Sequence, residues 1–489
     1  MSRALLVAAS LTLLAGCALG PDYARPDTDV PPRYRWDVTA AATDGASFGD
    51  IAWWRVYADP RLQTLIRVAL KQNLDVRIAV SRIEQARASL GAQKLAQLPQ
   101  INGSASGTRT QTSADFVTPT TPRDRTSETV QLGAAWELDL WGRLRRLSEA
   151  ARADLLGTEY AKEGVIVSLV GDVASNYFNL LSLDQQLQIT VRTVETRQKF
   201  AELTRARHDR GVVSGLDVAT AEAQLSNAQA NIPELERQIA QAEDQLSILL
   251  GSNPDSILRG EIAAEPQPPS PPAGLPSNLL ERRPDIRQAE ASLIAANARI
   301  GAAKAALFPT ISLTASGGSA TTDISNLFTN PTGIFSLGAG LTVPILDAQR
   351  SLFQIDLADA RKREAILQYQ KVLQGAFRDV ADALIARQKY AEFEQAQAAQ
   401  VEALRRADEI ALARYRIGFS SYFDVINAER DLFGAELTLS AARRNTLVSA
   451  VQLYRALGGG WQLQEQASAD PDAVLHGSAA APAAAATTQ

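Results

Sequence analysis

VQLGAAWELDL, residues 130–140, alternates without a break: Val130, Leu132, Ala134, Trp136, Leu138 and Leu140 fall on one face, and Gln131, Glu137 and Asp139 on the other. Period two specifies a strand with one apolar face. The stretch FSLGAGLTVPI, residues 335–345, repeats the pattern with Phe335, Leu337, Ala339, Leu341, Val343 and Ile345 opposite Ser336, Gly338 and Thr342. Six apolar residues at strict alternation match the about 9–11 residues of a tilted strand crossing a bilayer, and the polar faces suit a wet lumen. Each stretch follows another alternating segment, INGSASGTRT (101–110) or ISLTASGG (311–318), across a polar turn. Four strands cannot close a barrel, because the smallest membrane barrels use about eight, and open strands would leave unpaired edges in lipid. Closure therefore demands further copies of the chain, and a homotrimer with 12 strands is expected.

Two copies of one unit make up the chain. Residues 74–107 lie over 284–317 at a shift of 210, pairing Asp75 with Asp285, Arg77 with Arg287, Gly91 with Gly301, Pro99 with Pro309 and Gly107 with Gly317. Residues 206–225 lie over 413–432 at a shift of 207. Each copy opens with a helix expected to run about 30 residues and to stop before Pro99 or Pro309, since proline ends the helical ladder. After the second strand the period becomes helical and stays so. From Ser351 to Gly418 there is no proline and one glycine, Gly375; such a helix would extend about 100 Å. Gly211–Gly215 and Gly418–Tyr422 break each long helix, and a second helix returns. Pro233 predicts a kink or local break in the first return helix.

The expected organisation is a signal peptide over 1–16, a lead segment over 17–61, and a first repeat over 62–258 with strands near 100–113 and 126–140. A proline-rich connector over 259–280 follows, then a second repeat over 281–464 with strands near 310–321 and 333–345, and a disordered tail over 465–489. Trp53, Trp54 and Tyr57 are expected to pin the lead segment. Arg282, Arg283 and Asp285 read as a helix start held by charge pairs.

Composition removes several functions. The 489 residues carry 49 basic and 54 acidic side chains, a net charge of −5 without blocks of like charge, so nucleic acid is not an expected partner. Two histidines, His208 and His476, and one cysteine supply too few soft ligands for a zinc or iron site. Neither histidine lies near a nucleophile motif. No catalytic residue, metal or cofactor is expected, and the chain is not read as an enzyme.

The single cysteine has its own reading. Arg3 precedes the apolar run ALLVAASLTLLA, too short for a permanent membrane helix, and LLAGC follows. LLAGC resembles the bacterial lipobox, which implies that Cys17 is acylated and becomes the mature N-terminus. Ala18 in the next position resembles lipoproteins sorted to the outer membrane. Three acyl chains on one residue would anchor stably.

WELDLWGRLRR (136–146), GLPSNLLERRPDIRQAEASLIAANARIGAAKAALFPTISL (274–313), TVPILDAQR (342–350) and RYRIGFSSYFDVINAERDLF (414–433) resemble the signature segments of the outer-membrane factor (TolC) family, and more narrowly its lipoprotein channels serving RND-type pumps. The resemblance implies a mixed α and β fold: a trimeric 12-stranded transmembrane β-barrel on a long periplasmic α-helical barrel. It implies an inner-membrane RND pump and a periplasmic membrane-fusion adaptor as partners, and passive conduction of drugs or other toxic small molecules. It also marks the hairpin tips as the gate. The matching positions are Arg210, Gly211 and Asp217 in one tip and Arg416, Gly418, Phe423, Asp424 and Asn427 in the other. Asp217 and Asp424 suit either helix capping or a ring of carboxylates at the entrance. Asn427 stands where some relatives carry an acid, so an apolar and amide constriction with Phe423 is expected. Arg210 and Arg416 are candidates for links across the tip. Alternatives are a type I secretion exit duct, which shares the architecture, and a periplasmic coiled-coil lipoprotein, which would not need the four alternating strands.

Overall fold

The structure is a computed structural model and describes residues 18–36, 47–116, 123–266, 273–274, 276–329 and 331–460. Cys17 and the tail over 465–489 lie outside the described residues. The main elements are α1 (Trp53–Val56), α2 (Pro60–Gln72), α3 (Leu74–Leu95), β1 (Gln100–Gln111), β2 (Asp124–Leu138), α4 (Arg143–Asp209) and α5 (Gly215–Leu250). They continue with α6 (Leu279–Arg282), α7 (Pro284–Ala305), β3 (Thr310–Thr321), β4 (Gly333–Thr342), α8 (Ala348–Arg416) and α9 (Tyr422–Ala456). The two chain halves match in order and nearly in length, with long helices of 67 and 69 residues and return helices of 36 and 35.

Two compact units divide the chain, and neither is one sequence repeat. The first takes residues 18–29 with Val80–Ala161 and Arg287–Val372. It holds an antiparallel sheet in the order β1-β2-β3-β4. The register aligns the two copies: Ile101 faces Ala134, Leu132 faces Gly317, Trp136 faces Leu313, and Leu313 faces Ala339. Because strand partners share a face, every apolar series read from the sequence lies on the same side. Beside the sheet, α4 and α7 approach through Ala150, Ala153, Ala295 and Ala298, whose small side chains let helices pack closely.

Several boundaries differ from the sequence reading, each for a local reason. β4 ends at Thr342, so Val343 and Ile345 leave the strand; Pro344 has no N–H for the ladder. β2 ends at Leu138, and Asp139 caps α4 instead of facing a lumen, accepting from the backbone N–H of Leu144 at 3.0 Å and Arg145 at 2.9 Å. Glu137 pairs with Arg143 at 2.8 Å. The opening helix of the first copy is two helices, because the Asn73 side chain accepts from the backbone N–H of Asp75 and Val76 and restarts the ladder. In the second copy Pro284 restarts it, and Arg283 grips Asp285 at 2.7 Å and Asp379 at 3.2 Å. α5 runs through Pro233 unbroken.

A strap of extended chain binds the first unit together. Leu19 donates its N–H to the Trp141 carbonyl, Arg146 reaches the Leu19 carbonyl and the Asp22 carboxylate, and both Tyr23 and Arg25 bind Glu290. The backbones of Gly20 and Gly301 pass so closely that a Cβ on Gly20 would stand 2.4 Å from the Gly301 Cα.

The second unit takes residues 30–79, Lys162–Ile286 and 373–460. Its core is aromatic: Tyr454 meets Phe48 and Tyr57 edge to face, and its hydroxyl donates to the Ile51 carbonyl at 2.6 Å. Trp53 and Tyr57 are buried, so this cluster does pin the lead segment. Asp59 caps α2 and accepts from the Tyr177 hydroxyl at 2.5 Å. Burial next to Asp59 pushes the Glu265 carboxyl up to about 8. One window of α4 has the length and composition of a membrane helix, yet 61% of it is buried within the chain, so packing accounts for its apolarity.

Gly301→Ala should loosen the strap, because the new methyl would stand 2.6 Å from the Leu19 carbonyl oxygen. Overpacking of this kind costs about 1–3 kcal/mol, and the expected readout is a lower melting midpoint with faster amide exchange at Leu19, whose N–H is bonded to the Trp141 carbonyl. Unchanged exchange at Leu19 would show that the strap is not held there.

Candidate functional site

Two features can do work, and neither is a catalytic pocket. The first is the sheet. Its apolar face exposes Ile101, Leu132, Phe335, Leu337 and Leu341, with Phe335 85% and Leu337 79% accessible. The other face is small and polar: Ser312, Thr314 and Ser316 pair with Gly340, Gly338 and Ser336, and the Ser316 and Ser336 hydroxyls meet at 2.9 Å. Two shallow apolar hollows mark the exposed face, one around Ala134, Trp136, Leu313 and Leu337 and one around Ala105, Leu132, Gly317 and Phe328. Within the sheet, β1 and β4 each have one strand neighbour, so the outer N–H and C=O groups of both edges have no strand partner among the described residues.

The second feature is the pair of hairpin tips, built by the same local chemistry twice. α4 ends with Gly211 at φ +73° and α8 with Gly418 at φ +85°. A Cβ at either position would meet nothing within 4 Å, so glycine is required for backbone conformation and not for space. The N–H of Val212 returns to the Arg207 carbonyl at 3.0 Å, and that of Phe419 to the Arg414 carbonyl at 2.9 Å. Each return helix then opens with a reciprocal capping box: Ser214 with Asp217, and Ser421 with Asp424. Serine followed three residues later by an acid is the sequence signal for this box, and it stands in both copies.

Asp217 and Asp424 are thus committed to capping. Hydrogen bonds from the Ser421 and Ser420 hydroxyls and the Ser421 N–H hold the Asp424 carboxyl below its usual range. That contribution is present above the ordinary carboxylate range and fades as pH falls through the lowered value. Arg210 and Arg416 are exposed and make no hydrogen bond or ion pair among the described residues, so neither links the tips within one chain. Phe423 is 71% accessible and Asn427 half-buried.

Sequence reasoning missed what joins the two hairpins. Phe200 of α4 stacks on Tyr422 of α9 at 5.0 Å and lies 5.5 Å from Tyr415 of α8, over which Arg207 sits at 4.7 Å. Ala201, Ala221, Val425 and Ile426 complete this cluster. Around it the turns expose Val212, Leu216, Ile417, Phe419 and Phe423, each at least 67% accessible.

The model of the outer membrane efflux protein family matches residues 65–252 and 275–459. The chain belongs to that family. It is 37% identical over 462 residues to the solvent efflux pump outer membrane protein SrpC of Pseudomonas putida, covering 93% of this chain and 98% of the relative. It is 34% identical over 464 residues to the cation efflux system protein CusC of Escherichia coli K12, covering 91% of this chain and 97% of CusC. Among solved structures, the open state of the Neisseria gonorrhoeae MtrE outer membrane channel superposes with a TM-score of 0.83 at 32% identity, covering 92% of this chain and all of that one. The outer-membrane channel OprN also gives 0.83, at 30% identity over 91% of this chain and 100% of OprN. Family membership makes this chain an outer-membrane efflux channel component.

Ser421→Ala should fray the first turn of α9. Loss of a serine cap typically speeds local opening about fivefold, so amide exchange over 422–425 is expected to rise by that factor while 440–450 stays unchanged.

Proposed function

We propose that three copies of this chain close a 12-stranded barrel and form a tunnel that passively conducts toxic small molecules, delivered by an inner-membrane RND pump through a periplasmic adaptor. The four-stranded sheet with one exposed apolar face and two open edges carries this reading. In lipid, each unsatisfied backbone group costs several kcal/mol, so the edges of one chain must pair with those of others. Four strands per chain and three chains give an even-stranded barrel wide enough for a lumen lined by the serine, threonine and glycine face. The relatives named above are channel proteins of efflux systems, which supports a role in conduction and not in catalysis.

Cys17 is assigned the lipid. Leu19, two residues later, is hydrogen-bonded to Trp141, three residues past the end of β2, which supports delivery of acyl chains close to the membrane-spanning strands. Docking of the adaptor is assigned to the tips, where exposed apolar residues surround turns built from glycine.

Native mass measurement of the detergent-purified protein is expected to give three chains, each heavier than the processed polypeptide by the mass of a lipid modification. A stable monomer would refute the closure argument, and an unmodified N-terminus would refute lipidation. For conduction, a strain lacking the gene should become sensitive to a panel of antibiotics and solvents. Complementation with Phe419→Asp combined with Phe423→Asp should leave sensitivity at the deletion level with trimer amounts unchanged. Full restoration by that variant would exclude the tips as the docking surface.

A further inference from the structure

Behind the tip cluster, an arginine and a glutamate from different hairpins face each other inside the second unit. Arg197 on α4 has a side chain only 4% accessible, and Glu429 on α9 one that is 16% accessible. Nη1 of Arg197 donates to the Gln224 carbonyl of α5 at 2.9 Å, and the guanidinium lies 5.3 Å from the centre of the Phe433 ring of α9. The pair itself is incomplete. Nε of Arg197 and Oε1 of Glu429 stand 3.8 Å apart, beyond hydrogen-bond reach, and both are buried without a partner.

We propose that Glu429 is a proton-operated latch: in its neutral form it lets the two hairpins of one chain stay packed above their tips, and loss of its proton loosens the seam between α4 and α9. This goes beyond conduction and adaptor docking, because it assigns a regulatory input to a site that faces neither.

The surroundings favour the neutral form. From α8, Asp408 adds negative charge beside Glu429, and Glu409 and Glu436 in turn face Asp408; from α9, Tyr422 lies beside Glu429. The neighbouring cations are already engaged, since Arg192 of α4 and Arg405 of α8 both bind Glu436, at 2.6 and 3.1 Å. Among the described residues only Arg197 offsets Glu429, and it does so without a hydrogen bond. An interior ion pair lacking good geometry does not recover the cost of stripping water from two charges. Burial pushes the Glu429 carboxyl up to about 7, against the smaller opposing pull of Arg197, and burial also lowers the Arg197 guanidinium. Linkage then sets the direction. A carboxyl that holds its proton more tightly when packed than when hydrated stabilises packing fully below the ordinary carboxylate range, and that stabilisation is lost as pH rises through about 7. Acid tightens the seam, and neutral to alkaline conditions loosen it.

Hydrogen exchange on the full-length protein tests this without reference to transport, so failure of the latch and failure of the channel reading are separable. Protection over 194–204 and 425–433, corrected for the intrinsic pH dependence of exchange, is expected to fall about tenfold between pH 5.5 and 8.5. Glu429→Gln, which keeps the shape of the neutral acid, is expected to hold the acid-side protection throughout, whereas Glu234→Gln, at an exposed position on α5, should follow wild type. Glu265 titrates in the same unit, and its effect belongs to α2, outside both windows. Flat protection in the wild-type chain overturns the proposal whether or not any variant folds. A fall in Glu429→Gln equal to that of wild type overturns it as well.

Discussion

Backbone hydrogen bonding in a medium without water is the constraint on which this protein depends. A strand in lipid must pair every N–H and C=O, and this chain supplies four strands that pair with one another and leave two edges. The alternation of side chains follows from the same demand, since a sheet between lipid and water must sort its residues by face. Glycine, alanine and serine fill many positions on the strands, so the polar face carries little bulk. The register of β2 on β3 joins the two halves of the chain in one sheet, so neither half forms the structure alone.

Outside the sheet the problem is the opposite one, because long helices satisfy their own backbones and must find partners for their side chains. α4 and α8 run for 67 and 69 residues, and their stability comes mostly from tertiary packing and not from helix propensity. Small residues permit close approach: the Ser182 and Ser440 hydroxyls meet at 3.1 Å between α4 and α9. At the tips, two glycines with positive φ and two capping boxes turn the chain back at little cost. The aromatic cluster of Phe200, Tyr415 and Tyr422 then fastens one hairpin to the other. The Arg197–Glu429 pair lies in the same seam with buried polar atoms that lack hydrogen-bond partners, which is where a small change in charge has leverage.

Much of this was legible in the chain because its causes are local. The face of each strand, the glycine turns and the start of α7 at Pro284 depend on residues within a few positions of one another. Where the reading failed, a partner or a competing local bond intervened. Asp139 looked like a lumen charge and became a helix cap, because β2 ends at Leu138, two residues earlier than strict alternation implied. Asn73 split a helix whose apolar pattern continues, since its side chain bonds both to the next turn and to the Leu249 carbonyl, 176 residues away. Pro233 did not interrupt α5, which continues from Gly215 to Leu250 despite the lost N–H.

By itself the sequence determined that the chain has two copies of a strand pair and a helical hairpin, and that the strands carry one apolar face. Period, glycine and proline act at short range and leave their mark directly on the order of residues. Only the tertiary structure decided which distant groups satisfy one another: that Arg210 and Arg416 bind nothing among the described residues, and that Arg197 and Glu429 share an interior seam. Those outcomes turn on distances of a few ångströms between residues hundreds of positions apart, and no local pattern encodes them.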